Sequence, residues 1–463
     1  MKTPLRSAPL RALGNVALPH SSARTFSIIT HTNARPRTQR SQRSQVQARN
    51  GTSTLHKISH VQSRTFTRDG LKITSRKAPP FAFAFDIDGV LLHVAKPIPG
   101  ATETLKYLQS HDIPFILLTN GGGKPENERV EELSKRLGVP LSTENFVQSH
   151  TPFQELVHRS WGHGPVDAGP AQNELIKEDV QSSGLADKNI LITGSDPAKS
   201  RLIAEAYGFR SVITPADIVA AHPAIFPFES PLLKDRLAAT VRPLPTPNPQ
   251  ISAIFVFNDP RDWAVDTQII LDLLLSQDGV LGTYSPKNGR GGGEHDNYGW
   301  QADGQPHLYF SNHDLFWSAT YHLPRFGQGS FQAALAGIWR QITGGKAELK
   351  RTTIGKPYPR TYEFAETVLA RWRAGLLEKR GAEEDARENG LPLRRVYMVG
   401  DNPESDIRGA NEYRSPQGTE WESVLVRTGV WSRDRDGEPK YKPHAIVDDV
   451  KGAVKWALER EGW

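Results

Sequence analysis

Residues 81–92, FAFAFDIDGVLL, constrain this chain more than any other stretch. Five uncharged aromatic and small apolar residues read as a strand buried on both faces of a parallel sheet. The run then ends in two carboxylates and a glycine. Asp86 and Asp88 have no use inside a buried strand, so they are expected at its carboxyl end, the edge at which open α/β sheets bind ligands. Asp and Gly are also ordinary turn residues, and by itself the segment leaves an acidic turn equally open.

From Pro80 onward strands and helices alternate, which predicts an α/β fold with a doubly wound, Rossmann-like parallel sheet. A helix over 101–111, with Leu105 and Leu108 at helical spacing, leads to a second buried run over 114–119. That run closes in Thr119, Asn120 and three glycines. Parallel strands joined by a crossover helix set two such polar ends side by side. After a helix over 125–137, strands over 189–193, 211–214, 251–257 and 308–311 and helices near 198–207 and 265–276 read as a second unit. A proline-rich stretch, 223–250, and a glycine-rich one, 286–306, interrupt it. Loops of that length either shape a substrate entrance or are solvated insertions. A helix over 329–342 precedes Lys356, and another covers 360–377. A third buried strand, Val396–Val399, leads to Asp401 and Asp406. Strands over 424–426 and 445–447 and a helix over 448–459 complete the pattern.

Composition removes several chemistries. The chain has no cysteine among its 463 residues, which excludes disulfides, thiolate metal sites and a cysteine nucleophile. Any metal must be held by oxygen or imidazole. No run approaches the roughly 18 uninterrupted apolar residues of a membrane span. The net charge of +6 resides in the first 68 residues, which carry twelve Lys and Arg and no acid, leaving 45 basic against 51 acidic residues from Asp69 on. This tail, rich in Arg, Ser, Thr and Gln, has the composition of a mitochondrial transit peptide. A basic arm for nucleic acid or anionic lipid has the same composition, while a secretory signal would need an apolar segment the tail lacks. Targeting to the mitochondrial matrix is the preferred reading, and no nucleic-acid partner is expected.

The polar signals Asp86-Ile-Asp88, Thr119-Asn120, Lys356, and Asp401 with Asp406 follow in order, each closing an apolar strand or opening a helix. In order and spacing they resemble the haloacid dehalogenase superfamily. The insertion between the second and third signals, with Phe310-Ser-Asn312-His-Asp314, Gly327-Gln-Gly329-Ser330 and Leu425-Val-Arg-Thr-Gly429, resembles class IIA, the NagD-like group. Thr119-Asn120 followed by glycines, together with the basic tail, is most similar to the mitochondrial cat eye syndrome critical region branch. The long Pro- and Gly-rich loops depart from the pattern.

The resemblance implies a hydrolase core over 69–126 and 326–463, a large inserted α/β cap domain over 127–325, and a tail over 1–68. It further implies a Mg²⁺-dependent phosphatase. Asp86 would be the nucleophile forming an aspartyl phosphate, and Asp88 the acid and base. Thr119, Asn120 and Lys356 would bind the phosphoryl group. Asp86, Asp88 through its carbonyl, and Asp401 would hold Mg²⁺, with Asp406 orienting that shell. Asp88 argues for release of an alkoxide, which needs a proton, and against release of halide, which does not. The expected partners are a small phosphorylated metabolite and, through the cap, a second copy of the chain. Two rivals stand beside this reading: a hydrolase fold retained for binding or regulation in mitochondria, and a hydrolase of glycerophospholipid metabolism.

Overall fold

The alternation of residues 81–85 sorts large side chains from small ones across one sheet. In the computed structural model, which describes residues 79–158, 184–228, 238, 240–317, 321, 323–379 and 393–463, β1 (Phe81–Phe85) turns its three phenylalanines to one face and its two alanines to the other. Phe81, Phe83 and Phe85 pack with Leu105, Leu108, Leu133, Leu137 and Ala453. Phe83 and Phe85 stack with ring centroids 5.5 Å apart. Each such side chain removed from water contributes about 1.5–3 kcal/mol. Ala82 and Ala84 leave room on the opposite face for Tyr362, Tyr413 and Trp421.

Chain order brings two parallel sheets. The helix α1 (Ala101–Ser110), β2 (Phe115–Leu118), α2 (Glu126–Leu137) and β3 (Phe146–Val147) follow β1. Then come β4 (Asn189–Thr193), α3 (Pro197–Tyr207), β5 (Ser211–Ile213), α4 (Pro215–Ala221), β6 (Ala253–Val256), α5 (Trp263–Leu275) and β7 (His307–Phe310). A short antiparallel pair, β8 (Phe316–Trp317) and β9 (Arg325–Phe326), precedes α6 (Gln328–Ile342) and β10 (Thr352–Thr353). The last elements are α7 (Pro359–Lys379), β11 (Arg395–Gly400), α8 (Arg408–Glu412), β12 (Glu420–Val426), β13 (Ala445–Val447) and α9 (Val450–Glu461).

The first sheet has the order β13-β12-β11-β1-β2-β3, and the second β10-β7-β6-β4-β5. Every pairing in both is parallel. The doubly wound α/β reading is therefore borne out. No helix among the described residues is long and apolar enough to cross a membrane.

Sheet membership differs from the division expected at 126/127 and 325/326. Val130, Leu133 and Leu137 of α2 pack into the first sheet's core, and β3 pairs with β2. At the other end, Phe331, Leu335 and Trp339 of α6 pack with the second sheet, and β10 pairs with β7. The strands of the second sheet and the helices packed on it lie between about residue 151 and about residue 354. The two short edge strands carry no apolar period from which a sequence reading could place them.

The long loops are also not where a substrate entrance would be. Residues 277–306 close the amino ends of β6 and β7: Gln305 donates to the Ser276 carbonyl (2.8 Å) and Asn297 to the Glu348 carbonyl (2.9 Å). Trp300 is buried against Trp339, centroids 5.8 Å apart. The described part of the proline-rich stretch joins the same edge, where Asn189 donates to the Gln250 carbonyl (2.9 Å). The expected tail, 1–68, lies outside the described residues.

Candidate active site

Parallel strands deliver their carboxyl ends to one edge, and the sequence signals of the first sheet meet there. Asp86 follows β1, its amide bonded to the Val399 carbonyl of β11 (2.9 Å). Asp401 follows β11. Lys356 reaches this edge from the loop between β10 and α7. Its ammonium is 2.6 Å from Asp86 Oδ1 and 2.7 Å from Asp406 Oδ1, and donates to the Leu118 carbonyl at 2.9 Å. It thus donates to Asp86 and to the Leu118 carbonyl and pairs by charge with Asp406. The Leu118 contact also sets Lys356 beside Thr119.

Asp406 stands on the turn after β11, where its Oδ2 accepts the amides of Asp401 (3.2 Å) and Asn402 (3.0 Å). This fold-back requires glycine at 400, because a Cβ there would lie 2.2 Å from Asp406 Cβ. Asp401 Oδ2 accepts the Val430 amide at 2.7 Å. Gly89, at φ +86°, runs so close that a Cβ would lie 2.3 Å from Asp401 Oδ2. Positive φ and close approach both select glycine here.

Asp86, Asp401 and Asp406 offer carboxylate oxygens that all lie within 4.8 Å of one another. Lys356 supplies one positive charge to these three carboxylates. Burial raises Asp86 well above the ordinary carboxylate range; Lys356 opposes this, while Asp406 and Asp401 add to it. Burial and Asp406 push Asp401 up to about 7, against the Val430 amide and Lys356. Burial disfavours the Lys356 charge, but Asp406 and Asp86 outweigh it and hold the ammonium firmly protonated. A buried, oxygen-only set with surplus negative charge fits a hard divalent cation such as Mg²⁺.

The Asp88 carboxyl stands outside this cluster, in a cleft that leaves the residue open to solvent on one side. Partial desolvation by the protein around it raises its pKa, against the pull of Arg129, Lys356 and Arg136. Both arginines belong to α2, and no sequence signal distinguished them. The Thr119 hydroxyl accepts the Gly121 amide (3.0 Å), which leaves its own proton free to donate. The Asn120 side-chain amide is bound to the Lys356 backbone and to Asp314. Asp314 was visible in sequence only as part of the Asn-x-Asp element.

The carboxyl ends of the second sheet face the same cleft. Asn312 donates to the Asn120 carbonyl (3.4 Å). A Cβ on Gly123 would lie 2.0 Å from Asn258 Nδ2. The site is therefore built between two parallel-sheet edges.

Comparison with known proteins accords with this architecture. The family model described as haloacid dehalogenase-like hydrolase matches residues 83–210, and a second, HAD-hydrolase-like, matches residues 353–453. A mitochondrial hydrolase of Saccharomyces cerevisiae is 37% identical over 397 residues, covering 84% of this chain and 97% of that protein. The chain is also 37% identical over 403 residues to a cardiolipin synthase (CMP-forming)/mitochondrial hydrolase fusion protein of Schizosaccharomyces pombe. That match covers 86% of this chain and 56% of the fusion protein, so the chain spans about half of that relative's length. A 4-nitrophenylphosphatase structure from Thermotoga maritima overlays with a TM-score of 0.46 at 17% identity, covering 81% of this chain and 97% of that one. The chain belongs to the haloacid dehalogenase-like hydrolases. The unit inserted between Thr119 and Lys356 stands where the class IIA resemblance implies a cap.

Proposed function

We propose that the chain is a phosphomonoesterase working through an aspartyl phosphate. The observation that carries this reading is the buried group of Asp86, Lys356, Asp401 and Asp406, with Asp88 two residues from Asp86 in the open cleft. The Asp86 carboxylate attacks phosphorus, and the ester P–O bond breaks in line. Asp88 delivers its proton to the leaving alkoxide oxygen, then takes a proton from water. That water attacks phosphorus, the bond to Asp86 breaks, and inorganic phosphate leaves with Asp86 restored. The Thr119 hydroxyl and the backbone amides of the glycine turn hold phosphoryl oxygens, and Lys356 offsets charge between Asp86 and Asp406. Asp86 and Asp401 would hold Mg²⁺, with Asp406 orienting that shell, and the ion would neutralise charge on the phosphoryl oxygens.

The inserted unit, residues 151–354, acts as the cap that excludes water and selects the ester. A small phosphorylated metabolite is the substrate class this cleft suits. The name of the S. pombe fusion relative favours a second reading, a phosphate ester of glycerophospholipid synthesis. The acid-free tail and the mitochondrial names of the two relatives support a mitochondrial location.

A Mg²⁺-dependent hydrolysis screen over sugar, polyol, glycerol and lipid phosphates tests the proposal. Wild type should release phosphate from at least one class, and Asp86→Asn should release none while keeping its fold. Equal turnover by Asp86→Asn would sink the mechanism. No turnover by wild type on any ester would favour the binding-protein alternative.

A further inference from the structure

Asn120 has one acceptor and two N–H donors on its side-chain amide, and each has a partner. Its Oδ1 accepts the Lys356 amide (2.7 Å), and Nδ2 donates to the Lys356 carbonyl (2.9 Å) and to Asp314 Oδ1 (3.1 Å). The first two bonds clasp both polar groups of the lysine's own main chain. The third bond ties the amide to the second sheet and agrees with the orientation the lysine's main chain sets. The reversed amide would set Oδ1 against the Lys356 carbonyl and Asp314 Oδ1, and Nδ2 against the Lys356 N–H.

Asp314 is itself fixed to the second sheet. Its amide donates to Asn312 Oδ1 (3.1 Å) and its carbonyl accepts the Gly329 amide (2.9 Å). Buried Gln328 and Gln332 hold Asn312 by its amide (3.0 Å) and carbonyl (2.7 Å). The covalent path to Lys356 is also short: β10 ends at Thr353, and the Ile354 amide still bonds to the Phe310 carbonyl of β7 (2.9 Å).

From this geometry we infer that Asp314 is a positioning residue, which acts through the Asn120 amide to place Lys356 between Asp86 and Asp406. It makes the lysine's position depend on the seating of the inserted unit. The inference rests on the proposed role of Lys356 at the reacting centre. Misplacing a reacting group by about 1 Å can cost about 10²-fold in rate.

Steady-state kinetics with 4-nitrophenyl phosphate and Mg²⁺ test it, with folding followed by circular dichroism. Asp314→Ala should lower kcat by about 10- to 100-fold with little change in KM. Asp314→Asn can still present an oxygen to Nδ2, so it should keep activity within a few-fold of wild type even if the alanine variant folds poorly. Asn120→Ala should match Asp314→Ala, and the double variant should be no slower than Asn120→Ala alone, because both changes break one chain of contacts. Additive losses, a loss confined to KM, or an asparagine variant as slow as the alanine one would overturn the inference. Asp86→Asn serves as the separate control: if it retains full activity, the reading of the reacting centre fails irrespective of what Asp314 does.

Discussion

In the proposed mechanism Asp88 answers to two demands at once, since a general acid must hold its proton at the working pH yet stand where a leaving group can reach it. The cleft provides the first by raising its pKa and the second by leaving it exposed. A raised value means the protonated form persists to higher pH than in an ordinary aspartate. The rate limb that needs the acid is therefore level at low pH and falls as pH rises through that value. Arg129 and Arg136 stabilise the charged form, and Glu132, paired with Arg129 at 3.0 Å, opposes it. Arg129→Ala should thus move the limb to higher pH, as recorded by the pH dependence of kcat. A shift toward acid would contradict this electrostatic account. At this scale the sequence was informative where a polar residue closed or followed an apolar run, as with Asp86, Thr119 and Asp401. It was uninformative for Asn120. An amide's task depends on the backbone it meets, and that backbone lies 236 residues away.

Among the elements, those with strong apolar patterning were legible to within a few residues. The strands Asn189–Thr193 and Ala445–Val447 stand where the short apolar runs between turn residues place them. The two-residue strands β3 and β10 are too short to carry a period of their own, although Phe146 and Val147 of β3 are buried in the core. The packing gives a direct test in fragments. A fragment of residues 150–355 retains α6, with Phe331, Leu335 and Trp339, and the edge strand β10. It should unfold cooperatively on heating. A fragment of residues 127–325 exposes the other face of that core and should show no cooperative transition. Equal behaviour of the two would place α6 outside the unit's core.

For the molecule as a whole, the decisive feature is the partner of its central strand. β1 has β2 on one side, where Phe83 aligns with Phe115, and β11 on the other, where Phe81 aligns with Arg395. The second sheet, by contrast, is complete by Thr353 and draws on strands closer in sequence. Contacts between distant segments form late, because chain entropy opposes loop closure until many contacts reward it. Pulse-labelling hydrogen exchange during refolding should therefore show amides of Ile190–Ile192 protected before those of Val396–Val399. The reverse order would refute this sequence of events. A ribosome releasing the chain from its amino end exposes β1 with one side bare until residue 400 has emerged. Asp86 meets Lys356 and Asp401 only after that moment, so no nascent form that stops short of residue 401 holds the assembled group.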